Sequence, residues 1–374
     1  MYINSLYLQN FRNIKNANIS FSPNLNVLVG NNGMGKTNVL ESIYFLSIGK
    51  SPRAVKDIEC INFEESNAKL GLEFIRNKTP RKINLNLFKN QKKTLLLDNM
   101  PLKKLSDIVG HFGSVYFSPI ELQIISGAPT LRRRFIDIIN CQLSPQYMDE
   151  LFKYQRAIKQ RNNYLKAHKT NEYNTELESW DVQIASLCAS LTKRRQVFIE
   201  RLNGVAKEIH KNITNNIEQI DIKYISCIDD IKDASFDEIK TQFLQKMKQN
   251  FEKDRVLEYT SFGCHNDDID VKLQYLKDNQ VIKTINIKKS GSQGQQRTSV
   301  LSMKLAELEI LKDEYYEPPV LLLDDVLGEL DKDRQNALLN YCKNFQTIIT
   351  CTEWKYKIDA KIFEINNGVI TLKQ

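Results

Sequence analysis

The sequence has no apolar run of the length a membrane-spanning helix needs, about 18 residues or more, so nothing in it is expected to cross a bilayer. The opening stretch MYINSLYLQNFRN has neither the basic region nor the apolar core of a cleavable signal. No C-x-x-C pair occurs among the seven cysteines (Cys60, Cys141, Cys188, Cys227, Cys264, Cys342 and Cys351), and they are dispersed and odd in number. That pattern argues against a thiolate metal site or a disulfide framework and for reduced thiols in the cytoplasm. Internal repeats and long low-complexity segments are missing. Glycine is nearly absent from 119–260, where only Gly127 and Gly204 occur.

What is present is a chain of 374 residues, 41% hydrophobic, with net charge +8. The length suits two or three domains. A basic balance is compatible with a nucleic-acid partner without requiring one. Basic residues concentrate in 81–104, where Asp98 is the lone acid, and in 151–170, which has no acid. Acids gather elsewhere, at Asp229, Asp230, Asp233, Asp237 and Glu238.

Alternating or short apolar runs predict strands at 2–8, 14–21, 25–29, 69–75, 83–88, 94–97 and 114–117, with helices at 38–48 and 102–109. From 119 to 262 the periodicity turns helical, over 130–140, 145–168, 172–215 and 235–250, with one strand at 217–225. These helices are too short and irregular for an extended coiled coil. Strands return at 269–277 and 281–288, followed by a helix at 294–312, a strand at 319–323, a helix at 332–342 and strands near 346–351 and 361–372. The expected architecture is an α/β head in two parts, 1–118 and 263–374, split by a mainly helical arm at 119–262.

The remaining glycines mark chemistry. Gly30-Asn31-Asn32-Gly33-Met34-Gly35-Lys36-Thr37 fits G-x-x-x-x-G-K-[ST] between a buried strand and a helix opening at Asn38. Such a loop turns backbone N–H groups toward phosphate oxygens, and the helix start adds free donors and a positive dipole end. Lys36 is placed to reach the β- and γ-phosphates of ATP, and the Thr37 hydroxyl to ligate Mg²⁺. A second strand, 319–323, ends in Asp324-Asp325, at the strand edge where open α/β sheets bind ligands. Asp324 is expected to hold Mg²⁺ and Asp325 to orient or deprotonate the attacking water.

Lys36 and Asp324 lie near opposite ends of the chain, a separation that resembles the split heads of ABC-type ATPases. Gly291-Ser292-Gln293-Gly294-Gln295 resembles the ABC signature, and 324–331 resembles a metal strand running into a D-loop, with Glu329 and Asp331 in it. By that resemblance Ser292, with Gln293 and Gly294, closes over the nucleotide of a second copy, so that ATP holds a homodimer together and hydrolysis releases it.

The strings Leu8-Gln9-Asn10-Phe11-Arg12-Asn13, Phe117-Ser118-Pro119, Arg132-Arg133-Arg134-Phe135-Ile136-Asp137, Gln160-Arg161-Asn162 and Ser292-Gln293-Gly294-Gln295-Gln296-Arg297-Thr298 resemble the RecF family of bacterial DNA replication and repair proteins over nearly the whole chain. The resemblance implies an ABC-type P-loop head with a helical arm and DNA-stimulated ATP hydrolysis coupled to dimerisation on double-stranded DNA near gaps. It also implies work with RecO and RecR to load RecA, in support of the SOS response. Arg12 resembles a phosphate-contacting arginine of SMC-type heads. The Q-loop role falls to Glu121 or Gln123. No histidine follows the strand near Thr350, leaving Thr352 or a neighbour at the switch position. The family's G-P-H-R-D-D reads Gly263-Cys264-His265-Asn266-Asp267-Asp268, where His265 is expected to be structural.

For DNA, the candidates are Arg81, Lys82, Lys92 and Lys93, one or more of Arg132, Arg133 and Arg134, and a helical stripe of Arg156, Lys159 and Lys166. Three successive arginines cannot share one helix face, so at least one is expected to pair internally. Two other functions fit parts of the pattern. A transporter's nucleotide-binding subunit would have a shorter head, and a non-hydrolysing adaptor would not need Asp324-Asp325.

Overall fold

The computed structural model describes residues 1–168, 172–229 and 231–373. Lys169 and Thr170, which end the basic stretch 151–170, and Asp230 of the acidic group lie outside the described residues.

The chain opens with β1 (Tyr2–Phe11) and β2 (Ile14–Ser20), joined by a turn in which Asn10 and Arg12 take φ of 56° and 54°. Next come β3 (Leu25–Val29) and α1 (Lys36–Ile48), then β4 (Asn67–Arg76), β5 (Thr79–Phe88), β6 (Thr94–Leu97), β7 (Met100–Leu102) and β8 (Ser114–Phe117). Helices follow as α2 (Pro129–Leu143), α3 (Pro145–Ala167) and α4 (Thr175–Ile213), then β9 (Glu218–Ile225), α5 (Phe236–Gln249) and α6 (Phe251–Leu257). The chain continues through β10 (Asp268–Lys277), β11 (Gln280–Asn286), the single-turn α7 (Ile287–Ser290), α8 (Gln293–Tyr315), β12 (Val320–Asp324), α9 (Lys332–Cys342), β13 (Thr347–Cys351), β14 (Lys361–Asn366) and β15 (Val369–Leu372). Where a helix was expected at 102–109, only one 3₁₀ turn forms, at Leu105–Ile108.

Two compact units result. The first joins Met1–Gln123 to Gln293–Gln374. It holds an antiparallel sheet, β2-β1-β4-β5-β6-β7, and a second sheet ordered β15-β14-β3-β13-β12-β8. In the second sheet all neighbours but β15 run parallel. Its inner strands are near-continuous apolar runs, as strands covered on both faces require. Helix α1 is buried nearly all round from Val39 to Ser47, and its side chains share one core with residues of both sheets, among them Leu6, Leu72, Leu322 and Ile348. Because β3, β12, β13 and β8 are parallel, their carboxyl ends share one edge. That edge carries the glycine loop, Asp324-Asp325 and the start of the 118–123 turn.

The second unit is Ile124–Ser292. Its helices enclose a core around Tyr147, Leu151, Ala185, Leu191 and Phe243, and its strands form an antiparallel sheet β11-β10-β9. Arg161 is fully buried and donates to Asp181 at 2.6 Å, Asp254 at 2.7 Å and Thr260 Oγ1 at 3.0 Å. Residues 263–292, expected in the head, belong here instead. β10 pairs with β9 from Asp268↔Ile225 to Tyr275↔Glu218, and this pairing between distant segments ties them to the arm. Among the described residues no helix is long and apolar enough to cross a membrane.

Candidate functional site

The glycine loop leaves β3 under tight steric control. A Cβ on Gly30 would sit 2.3 Å from the Ile365 carbonyl oxygen of neighbouring β14. Gly35 has φ +113°, and a Cβ there would lie 2.7 Å from Asn13 Oδ1. Only glycine meets both demands. Asn13 braces the loop from the β1–β2 turn: its amide donates to Met34 O at 3.2 Å and its oxygen accepts from Asn38 Nδ2 at 2.7 Å. Lys36 is 3% exposed, yet its ammonium donates to the carbonyls of Gly30 (2.7 Å) and Asn31 (3.1 Å) rather than to a carboxylate. A buried cation held by neutral oxygens suits an anionic ligand.

Beside it, Asp324 is buried and saturated with hydroxyl donors. Thr37 Oγ1 and Thr350 Oγ1 each donate to Oδ1 at 2.8 Å, and Tyr116 OH donates to Oδ2 at 2.8 Å. These are hard oxygen ligands, the donor set that Mg²⁺ takes together with phosphate oxygens. The residues therefore fit a nucleoside triphosphate with its cation: Lys36 and the loop for the phosphates, Thr37 and Asp324 for the metal.

Asp325 turns sharply out of β12 with φ 52°, and its backbone N–H donates to Thr350 Oγ1 at 2.9 Å. Half-burial pushes its carboxyl above the ordinary value, with the Lys36 charge opposing and the Asp324 charge adding. A carboxylate raised toward neutrality is a better proton acceptor.

Arg12 lies next to the loop in an ion-pair cluster. Its guanidinium donates to Glu41 Oε1 at 2.8 Å, to Glu41 Oε2 at 3.2 Å and to Glu59 O at 2.8 Å. Arg53 also pairs with Glu41 and donates to Asn38 Oδ1 at 2.5 Å. Burial alone would raise the Glu41 carboxyl, but hydrogen bonds from Arg12 and Ser51 and the charge of Arg53 hold it below the ordinary value. Arg12 is thus anchored near the phosphate loop by a buried carboxylate, and its side chain keeps 24% exposure.

Ser292 and Gln293 are exposed at the start of α8, and Gly294 is half-buried. Arg297, one turn on, donates to Glu329 O at 2.6 Å and pairs with its carboxylate at 2.7 Å. Asp331 caps α9, accepting from Arg334 N at 3.1 Å, and the Arg334 guanidinium reaches both Asp331 and Thr298 Oγ1. The start of α8 and the 327–331 segment after Asp325 are therefore one hydrogen-bonded piece. Gln123 is exposed. Glu121 accepts from Ser118 N at 3.1 Å and lies 3.8 Å from the buried Lys304 ammonium. Thr352 is exposed past β13; its neighbour Thr350 is the residue of this strand end that touches Asp324.

A family model described as RecF/RecN/SMC N terminal domain matches residues 2–367. The DNA replication and repair protein RecF of Clostridium botulinum (strain Langeland) is 40% identical over 376 residues, 99% of each chain. That of Clostridium tetani is 41% identical over 375 residues, covering 98% of this chain and 99% of its own. The chain belongs to the RecF family of DNA replication and repair proteins. A solved structure of the recombination mediator protein RecF with ATP, from the RecFOR pathway, superposes with TM-score 0.90 at 30% identity, over 100% of this chain and 98% of that one. An Smc head bound to the C-winged helix domain of ScpA gives TM-score 0.54 at 15% identity, over 100% of this chain and 97% of that one, a likeness of fold alone. The α/β fold is that of RecF and SMC head ATPases.

For a RecF-family chain the basic residues matter next, and they divide. Arg81 pairs with Asp98 at 2.5 Å, Lys82 with Glu73 at 2.9 Å and Lys93 with Asp57, all at the surface, while Lys92 is exposed. Arg156, Lys159 and Lys166 are exposed on α3. Arg132 corrects the sequence reading. It is 4% exposed, donates to both Asp268 oxygens (2.6 and 2.8 Å), and closes over the carbonyls of Ile124, Ile125 and Gly127. Its position on α2 faces β10, and that pairing removes it as a DNA contact. Arg133 is half-buried and donates to Asp267 O at 3.0 Å. His265 shares a 2.5 Å hydrogen bond with Tyr154 OH, a local structural role. Arg132→Met is expected to lower the thermal stability of the arm by about 3 kcal/mol, because it strands a partly buried carboxylate. The salt slope of DNA binding should not change; a slope reduced by about one would restore Arg132 as a phosphate contact.

Asn13, Arg53 and Tyr116 were given no role from sequence. Asn13 stands inside a family string. The other two carry no local signal: Arg53 meets Glu41 and Asn38 across a loop, and Tyr116 meets Asp324 from a distant part of the chain.

Proposed function

We propose that this chain is a DNA-stimulated ATPase that dimerises on double-stranded DNA near single-strand gaps, in the cytoplasm. There it works with RecO and RecR to load RecA and supports the SOS response. The observation that carries this reading is the meeting of Lys36, Thr37, Asp324 and Asp325 at one sheet edge. Two further supports are the family and the solved relatives that hold ATP or ATPrS.

In the proposed mechanism, Lys36 leaves the loop carbonyls for the phosphates and the loop N–H groups cradle them. Thr37 and Asp324 would hold Mg²⁺, which would supply positive charge to offset that of the phosphates, and Asp325 takes the proton of the attacking water. Ser292, exposed at its helix start, donates to the γ-phosphate held by a second copy. The Arg297–Glu329 clasp then ties that contact to the segment following Asp325 in the same subunit. DNA binding in this reading uses the exposed cations and is nearly independent of sequence.

The test is ATP turnover per molecule across protein concentration, with and without gapped duplex. A rate that rises with concentration and with DNA, and falls as salt rises, is expected. Turnover indistinguishable from background at every concentration, with or without DNA, would instead support a non-hydrolysing adaptor that binds ATP as a switch.

A further inference from the structure

We propose that Tyr116 is a positioning residue for the metal: its hydroxyl, acting with Thr350, fixes the Asp324 carboxylate so that Oδ1 stays beside Thr37. This rests on Thr37 and Asp324 forming the Mg²⁺ site.

Three hydroxyls converge on Asp324, and they are not equivalent. Thr37 donates to Oδ1 at 2.8 Å, and its oxygen keeps two lone pairs, so it alone of the three is placed to ligate a cation while its proton stays on the carboxylate. The other two serve only to hold the carboxylate: Thr350 on Oδ1 and Tyr116 on Oδ2, each at 2.8 Å. Thr350 is itself oriented, because it accepts the Asp325 N–H at 2.9 Å and so directs its own proton to Oδ1. Tyr116 does the same for the other oxygen.

The fold explains why this tyrosine reaches. β8 and β12 are parallel neighbours with Tyr116 opposite Leu322, and Asp324 lies two residues further along β12 on the same face. Tyr116 is 4% exposed, and its ring packs against Tyr44 of α1 with centroids 5.3 Å apart, which fixes where its oxygen lies. Hydrogen-bonded partners of metal ligands set ligand orientation, and removing one typically weakens metal binding about 10- to 100-fold.

Tyr116→Phe keeps the ring and its packing and removes only the hydroxyl. The measurement is Mn²⁺ affinity by electron paramagnetic resonance, on the full chain with a non-hydrolysable ATP analogue, alongside analogue affinity without metal. For Tyr116→Phe, metal affinity should fall about tenfold with metal-free nucleotide affinity unchanged. Thr37→Ala, measured in parallel, should lose the metal. Wild-type Mn²⁺ affinity in Tyr116→Phe, with Thr37→Ala defective, overturns the positioning role and leaves the metal site standing. Loss of metal-free nucleotide affinity in Tyr116→Phe would make Tyr116 a structural residue and overturn it too. Unchanged metal affinity in Thr37→Ala would reject the metal site itself, and the inference with it.

Discussion

Asp325→Asn is expected to lower ATP turnover by about 10²- to 10⁴-fold, the range for loss of a positioned general base, while ATP affinity changes only a few-fold. The substitution is clean for a local reason. Residue 325 sits at φ 52°, a left-handed conformation that asparagine adopts as readily as aspartate. The backbone N–H that binds Thr350 Oγ1 is also kept. What disappears is a negative charge between Asp324 and Lys36, so the phosphate loop gains a slightly more positive surrounding and nucleotide binding should not suffer. The predicted phenotype is a nucleotide-loaded dimer that persists on DNA. Sedimentation in ATP should show a dimer with a lifetime far longer than wild type. Turnover within threefold of wild type would move the proton acceptor to another group, and rapid dissociation would separate hydrolysis from release.

How much of this was legible in the sequence depended on how far apart the interacting residues are. The phosphate loop is a contiguous octapeptide, so Gly30 to Thr37 could be read as one unit, although the contacts that demand glycine at 30 and 35 come from Ile365 and Asn13 and could not. The β12 edge was nearly as clear, because an apolar run ending in two aspartates fixes both the strand and where its carboxylates emerge. The strands and long helices followed from periodicity. The arm boundary at 263 did not: β10 and β11 look like head strands until β9 is known to be their partner, and pairing across more than forty residues leaves no local trace. Arg132 illustrates the same limit. Among three consecutive arginines, sequence says that one must turn inward; only the position of Asp268 on β10 decides which. Glu41, Arg53 and Tyr116 were silent because a carboxylate on an apolar helix or a tyrosine in an apolar strand acquires meaning only from what is packed against it.

Two inactive variants, when mixed, should restore activity if each nucleotide is completed by a second copy. Lys36→Met removes the cation from the phosphate loop, and Ser292→Arg puts a bulky side chain on an exposed helix start, where it leaves the core undisturbed. Each alone should lose at least about 10²- to 10³-fold in turnover, the scale seen when a single donor to developing charge is removed. Random pairing makes half the dimers mixed. In each mixed dimer, the loop of the Ser292→Arg chain faces the intact signature of the Lys36→Met chain. One site in two is then whole, so an equimolar mixture should recover up to about a quarter of wild-type turnover. Recovery should vanish on dilution below the dimerisation range, which distinguishes it from residual activity in either parent. A site built within one polypeptide predicts something different: the mixture would never exceed the mean of its parents. The experiment therefore decides whether the exposed start of α8 serves its own phosphate loop or a neighbour's.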